Sequence, residues 1–515
     1  MEMNNPVMPA ADAIGRPNGG LVGAVQEFAA QYAAAILAAV CAATIFFPGN
    51  EFLPVPWQFD DYFNLSGYLH YLHYPQGFRN AFLHARPVST NAIWCLGAAG
   101  ETTFYLVMFF LTALLPVVTV RLALRLFRCR PGPWVAIWLA AAVSFCTFLA
   151  EESPWFYRYT GIMTNLTSVT AGMLATCCYC RFLDGKKSAL AVGCLLFFVT
   201  AFAKEDMLLF VPLFVTADWC IFRLTNKKLA SVRSLAFVYG SFAVVGAILF
   251  FWNTWVIFSP FTAGVDSAYK QDWTPSRLLM LVWGYADASR TPRVVFIALA
   301  VAAGLGLLRR GHRIAALSSI LLGMSLILPY AVVQKFSGYY CLNWLPIVTA
   351  LSLVGIAVAW RPFAPGRLSI VPWIVPVAIV VTAVLVSHSA AGRRRELMMS
   401  LNRDQENNSY MIQQVLRHRE EFANAKTVAL QGIDDVVSPW YFSDARYINW
   451  KLGTDTNWLL VARPKSLVDK RMTTGWLKDG HTAVISERDL AAHPGIPILE
   501  FDKSLNLTVH VSGKQ

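Results

Sequence analysis

The sequence predicts an α-helical integral membrane protein with a small C-terminal α/β domain, on three observations. Of its 515 residues 56% are hydrophobic and 14% are charged, with a mean hydropathy of +0.47. Soluble domains carry about 25% charged residues. The apolar residues fall into runs of span length separated by loops of alternating charge character. From Ala390 onward the composition turns polar and punctuated by turn residues.

A membrane span needs about 20 apolar residues. Eleven runs approach that length, at 28–47, 102–127, 132–150, 161–183, 188–203, 206–223, 234–258, 292–308, 314–334, 338–360 and 369–389. Residues 1–27 form a weakly charged leader containing Arg16, with no small-residue cleavage site, so the first run is expected to stay as an anchor. Basic residues concentrate on the cytoplasmic side of a membrane. With a cytoplasmic N-terminus, the inside loops hold Arg121, Arg125, Arg128 and Arg130; Arg181, Lys186 and Lys187; Arg223, Lys227, Lys228 and Arg233; Arg309, Arg310 and Arg313; and Arg361 and Arg367. The outside loops hold Glu51, Asp60, Asp61, Glu101, Glu151, Glu152, Glu205, Asp206, Asp266, Asp272 and Asp287. Every alternation agrees. A transmembrane domain at 28–389 follows, with a long first outer loop at 48–101 and a second at 259–291.

An odd number of spans puts residues 390–515 outside. This region opens with a polar helical stretch and continues with short apolar runs, "TVALQGI", "NWLLVARP", "TAVISE", "IPILEF" and "LTVHV", between Gly, Pro and charged turns. No Gly-rich phosphate loop follows a strand, which argues against nucleotide binding there. The net charge of +12 sits in short clusters between apolar runs and reads as topology, not as a nucleic-acid surface. The ten cysteines lie mostly in or beside spans, and Cys177 and Cys180 lack the second pair or nearby His of a zinc site.

Ionisable groups near a membrane are costly and so informative. Four clusters fall on the outer face. The first, "PWQFDDYF", holds Asp60 and Asp61 in a loop rich in aromatics suited to the interface. The second, "LAEESPWFYRYTG", holds Glu151, Glu152, Arg158 and Tyr159; the third, "FAKEDMLLFVPLF", holds Lys204, Glu205 and Asp206; the fourth, "QKFSGYYCLNWLP", holds Lys335, Tyr339 and Tyr340. Each alone has a plain reading as a solvated charge or an anchoring aromatic. Together they suit a lipid-linked phosphate donor: Lys and Arg hold the phosphate and stabilise leaving-group charge, and a carboxylate deprotonates the acceptor hydroxyl.

Four segments resemble the GT-C glycosyltransferases, the multi-span enzymes that use polyprenyl-phosphate sugars and include protein O-mannosyltransferases and lipid A aminoarabinose transferases. "FDDYF" is similar to the family's acidic pair in the first outer loop, with Asp61 where Glu is usual. The stretch opening "ARPVSTNAIWCLGAAGETTF" resembles the family's entry to the second span; "AKEDMLLFVP" and "GYYCLNWLP" resemble its later outer segments, with Ser337–Gly338 where Arg is common. The resemblance covers order and spacing over roughly residues 28–360. It implies an inverting transfer of a sugar from a polyprenyl monophosphate to an acceptor hydroxyl on an envelope glycan, lipid or protein. It also implies Asp60 as the base, with Asp61 the other choice. The C-terminal domain is not a tetratricopeptide array, so protein O-mannosylation does not carry over.

The expectations are therefore these. Asp60 and Asp61 are catalytic; Arg86 and Lys204 grip the donor phosphate, with Lys204 snorkelling to headgroup depth and Glu205 forming a local ion pair. Glu152, with Glu151 second, orients the acceptor or holds a divalent cation, and Arg158, Tyr339 and Tyr340 are further candidates. No other cofactor is implied. The partners are membrane lipids, the lipid-linked donor and the acceptor, not nucleic acid, in a bacterial inner membrane with the site facing the periplasm. The alternative is a non-enzymatic flippase or transporter of lipid-linked sugars, which would line its path with mid-span charges. Sugar, acceptor, metal dependence and oligomeric state are left open by the sequence.

Overall fold

The computed structural model describes residues 21–46, 86–129, 131–151, 153, 156, 162–226, 231–256, 274–287, 290–309, 312–331, 340–360, 371–432, 448–449, 452–462 and 482–511. Every apolar run contributes a helix. In chain order the helices are α1 (Leu21–Phe46), α2 (Pro87–Ala98), α3 (Glu101–Leu126), α4 (Pro133–Phe148), α5 (Ile162–Leu183), α6 (Ser188–Ala203), α7 (Phe210–Asn226) and α8 (Val232–Phe251). They continue with α9 (Pro275–Asp287), α10 (Arg290–Leu308), α11 (Arg313–Ala331), α12 (Cys341–Trp360), α13 (Val371–His388) and α14 (Ala391–Arg417).

This is a multi-pass membrane protein. Among the described residues six helices are long and apolar enough to cross a bilayer, or seven if the pair bent by 55° between α13 and α14 is one span. Three more, at Pro133–Phe148, Ser188–Ala203 and Arg293–Leu308, are apolar but shorter. A helix of 16 residues rises about 24 Å, less than the roughly 30 Å of hydrocarbon. The eleven runs therefore differ in how much of each length is helix. The run at 206–223 shows why: its first residues form a 3-10 turn, Glu205–Met207, before α7 begins at Phe210.

The centre of the bundle is α12. It packs against α3, α4, α10, α11 and α13, and Trp344, Leu345, Val348, Leu351 and Leu353 are fully buried along it. Helices α5 and α6 form an antiparallel hairpin closed by Gly185, whose φ of +95° suits a residue without Cβ.

At one end of the hairpin Arg125 of α3 gathers three elements. Its guanidinium donates to both carboxylate oxygens of Asp218 on α7 at 2.9 Å, to Asp184 at 2.7 Å, and to the Cys180 carbonyl at 3.2 Å. Asp218 is buried, so this apolar run carries a charge paired within the bundle. Arg121 adds a hydrogen bond to Gln31 and lies 4.7 Å from the Phe28 ring, tying α3 to α1. These arginines therefore serve packing between helices.

The five short C-terminal runs form β1 (Thr427–Gln431), β2 (Asn457–Val461), β3 (Thr482–Ile485), β4 (Pro497–Phe501) and β5 (Leu507–Val511). Their order is β3-β2-β1-β4-β5, with β1 to β4 parallel and β5 antiparallel at the edge. The leading helix α14 buries Met411 and Val415 in a core with Trp458, Leu460, Leu499 and Phe501. Gly432 closes β1 where a Cβ would stand 2.0 Å from the Phe501 carbonyl oxygen, so no larger residue fits.

The domain is fastened to the bundle by Arg394. This fully buried side chain donates to the Leu149 carbonyl, to Ser387 Oγ at 2.7 Å and to the Ser387 carbonyl. Ser387 Oγ itself donates to Leu149 O at 2.8 Å. Carbonyls left without helical partners at the ends of α4 and α13 are thereby satisfied.

Candidate functional site

The site is built on the turn between α6 and α7. Helix α6 stops at Ala203 because Lys204 is extended, with φ −169° and ψ 146°. The carbonyls left over at that end are taken by two hydroxyls: Ser89 Oγ donates to Ala203 O at 2.9 Å, and Ser168 Oγ donates to Lys204 O at 2.7 Å. One hydroxyl comes from α2 and the other from α5, so two neighbouring helices fix the turn. The following 3-10 turn points consecutive carboxylates in opposite directions.

Asp206 points inward. Its Oδ2 accepts from Lys204 Nζ at 2.8 Å and from Asn343 Nδ2 at 3.2 Å. The ammonium also donates to Asn165 Oδ1 at 2.7 Å and lies 4.7 Å and 5.3 Å from the rings of Tyr340 and Tyr330. Those rings stack with centroids 4.4 Å apart, and Tyr330 contacts Asn343. The Lys204 and Asp206 side chains are only 7% and 6% exposed. A buried charge survives when it is paired and hydrogen-bonded, which Asp206 and Asn165 provide.

Glu205 points outward. Its Oε1 accepts from Arg86 at 2.9 Å, and the two side chains are 47% and 38% exposed. Arg86 has φ −129° and ψ 64° and stands immediately before α2, whose first residue is Pro87. Proline disfavours helix at the preceding residue, which leaves the arginine free of the helical path.

The electrostatics follow from this pairing. Burial pulls the Lys204 ammonium below the usual lysine range, an effect the Asp206 charge partly offsets. Removal from water would raise the Glu205 carboxyl, but the positive charges of Arg86 and Lys204 hold it below its ordinary value. For Arg86 the loss of hydration lowers the pKa, and the negative charges of Glu205 and Asp206 more than reverse that.

Arg86, Lys204, Glu205 and Tyr340 are thus brought together from distant parts of the chain. Two details differ from the sequence expectation. Lys204 does not lie along an apolar surface but is buried, held by Asp206 and Asn165 beside the rings of Tyr330 and Tyr340. Glu205 does not pair with its neighbour Lys204, because the 3-10 turn sends it to Arg86. Glu151 makes its ion pair with Arg393 of α14 at 3.3 Å. Asp60, Asp61, Glu152, Arg158 and Tyr339 lie outside the described residues.

Sequence reasoning missed Asn165, Tyr330 and Asn343 and gave Asp206 no role beyond a loop acid. The available signal was an amide inside an apolar run, since buried polar groups there need partners. Asn165 also opens the sequon Asn165-Leu166-Thr167. At 2% exposure in the first turns of α5 it is closed to modification in the fold. Among the described residues no group of three His, Cys, Asp or Glu side chains gathers into a metal centre.

The two charged clusters sit at opposite ends of α5. From Asn165 to Asp184 the chain advances 19 positions, about 28 Å of helix, close to the roughly 30 Å thickness of a bilayer core. Between Asn165 and Arg181 that helix carries no Asp, Glu, Lys, Arg or His.

No family model matches the sequence, and no curated relative does. Among solved structures the chain is similar to the crystal structure of ArnT from Cupriavidus metallidurans bound to undecaprenyl phosphate. That likeness spans 94% of this chain and 94% of the other, at 12% identity and a TM-score of 0.42.

Proposed function

We propose that the protein is a membrane glycosyltransferase that moves a sugar from a polyprenyl monophosphate carrier to an acceptor hydroxyl on the outer face. The observation that carries this reading is the placement of Lys204 and Arg86 on one three-residue stretch of contacts, each cation held by its own carboxylate. Keeping a lysine out of water is costly, and groups so perturbed cluster where chemistry is done. A phosphodiester donor entering at this turn meets an ammonium and a guanidinium whose fork matches its two non-bridging oxygens.

In this reading an acidic residue of the first outer loop, Asp60 with Asp61 as the other choice, takes the acceptor proton. The acceptor oxygen forms its bond to the anomeric carbon as the bond to the phosphate oxygen breaks, and polyprenyl phosphate leaves with the electron pair. Lys204 and Arg86 stabilise charge that grows on that phosphate in the transition state. One displacement gives inversion. The outer face is assigned by the basic loops, whose arginines and lysines mark the cytoplasmic side, in the inner membrane of a bacterial cell. Confinement of charge to the two ends of α5 supports a one-face site over a path through the bundle.

The test is an assay of purified protein with synthetic polyprenyl-phosphate sugars, read by thin-layer separation of carrier and sugar. Release or transfer of the sugar is expected. Movement of intact donor across liposomes without cleavage would assign a transporter instead.

A further inference from the structure

We infer that Asn165 is a ligand of the donor phosphate, its Nδ2 donating to a phosphate oxygen beside Lys204. This rests on the glycosyl-transfer reading above. The orientation of the amide is determined by charge. An ammonium has donors only, so the Asn165 atom 2.7 Å from Lys204 Nζ must be the oxygen. Thr164 Oγ1 donates to the same oxygen at 3.1 Å. The –NH2 group is therefore turned away from both, yet within about 5 Å of the ammonium, because amide oxygen and nitrogen share one carbon.

That nitrogen is buried and has no hydrogen-bond partner among the described residues. An amide donor withdrawn from water and left unmatched bears its full desolvation penalty. What it lacks is an acceptor. Three features select an anionic one. The neighbouring ammonium repels further donors. Asn165 is the fourth residue of α5, near the positive end of a 22-residue helix. A phosphate oxygen is an acceptor without a hydrogen of its own, and charged acceptors bind N–H groups more strongly than neutral ones. A sugar hydroxyl would satisfy the amide but carries no negative charge for the ammonium and the helix end to attract.

The competing role is that Asn165 only steadies Lys204 through its oxygen. Asn165→Asp separates the two, since it keeps shape and acceptor but exchanges the –NH2 for a second carboxylate oxygen. The paired variant Asn165→Asp/Asp206→Asn does the same at unchanged net charge, which guards against misfolding and general repulsion. Binding of undecaprenyl phosphate and of the uncharged polyprenol is measured on parent and variants in nanodiscs. We expect about tenfold or greater loss of undecaprenyl phosphate affinity in both variants, with polyprenol binding unchanged. Affinity within twofold of the parent in either folded variant overturns the assignment while leaving the glycosyl-transfer reading intact. A parent protein that binds polyprenol and undecaprenyl phosphate equally well overturns that reading, and this inference with it.

Discussion

Arg86 and Glu205 meet at 2.9 Å although they stand 119 positions apart in the chain. Their contact joins the start of α2 to the turn after α6, beside a lysine that the next carboxylate along, Asp206, holds. Two cations and two carboxylates therefore alternate within one small site. Removing any one member has a different consequence, because two members are buried and two are partly in water.

Arg86 and Glu205 are exposed enough that their pairing contributes about 0–1 kcal/mol to stability. Arg86→Ala is expected to leave thermal unfolding in detergent nearly unchanged while weakening undecaprenyl phosphate binding about tenfold. Glu205→Gln should be milder in binding. Titration of each variant with a donor analogue checks this, and affinities within twofold of the parent would remove Arg86 from the phosphate site.

The same pair sets an acid dependence. The Glu205 carboxyl is held below its ordinary value, so the folded state binds that proton less readily than the unfolded one. Its stabilising contribution is present above the ordinary glutamate pKa of about 4.3 and disappears as pH falls through the lowered folded value. The melting-temperature difference between parent and Glu205→Gln should shrink over that acid window; a difference independent of pH would contradict the pairing.

Lys204 and Asp206 behave as a buried pair. Removing one partner leaves an uncompensated charge, at a cost of about 3–5 kcal/mol. Lys204→Ala should lower the melting temperature sharply, and Lys204→Ala/Asp206→Ala should recover much of that loss without recovering sugar transfer. A double variant as active as the parent would make the pair purely structural.

At the opposite end of α5, Arg125→Met is expected to destabilise by about 3–5 kcal/mol, because Asp218 is left buried and unpaired. Arg125→Met/Asp218→Leu should regain most of it, since apolar groups of similar size replace buried ion pairs well. Thermal unfolding with size-exclusion elution reads both. Equal loss in single and double variants would show that the contact is not coupled.

Asp60→Asn keeps size but cannot accept a proton, so transfer is expected to fall about 10²-fold or more with donor binding retained. Single-turnover rates and equilibrium titration separate the two quantities. Near-normal turnover, with Asp61→Asn inactive, would move the base one position along the chain.

Hydropathy and turn residues were enough to read the helical runs and the five C-terminal strands. Burial in a bilayer demands long apolar helices, and turn residues mark the ends of short strands. The clusters at Lys204 and Tyr340 were legible for a related reason: ionisable or amphipathic groups at the ends of apolar runs are conspicuous. Arg86 was legible through Pro87, which restricts its backbone.

The pairings were not legible. Glu205 and Asp206 are adjacent and chemically alike, and only a 3-10 turn pinned by Ser89 and Ser168 decides that one meets Arg86 and the other Lys204. Asn165 and Asn343 lie 178 positions apart in runs that read as span, and nothing local says that they flank one ion pair. Arg125 read as a topology marker because its partner Asp218 stands 93 residues away on another helix. Local sequence determined where this chain is helical and where it is charged. Tertiary structure decided which charges neutralise one another, because that depends on how helices rotate and dock, and many distant residues set that rotation together.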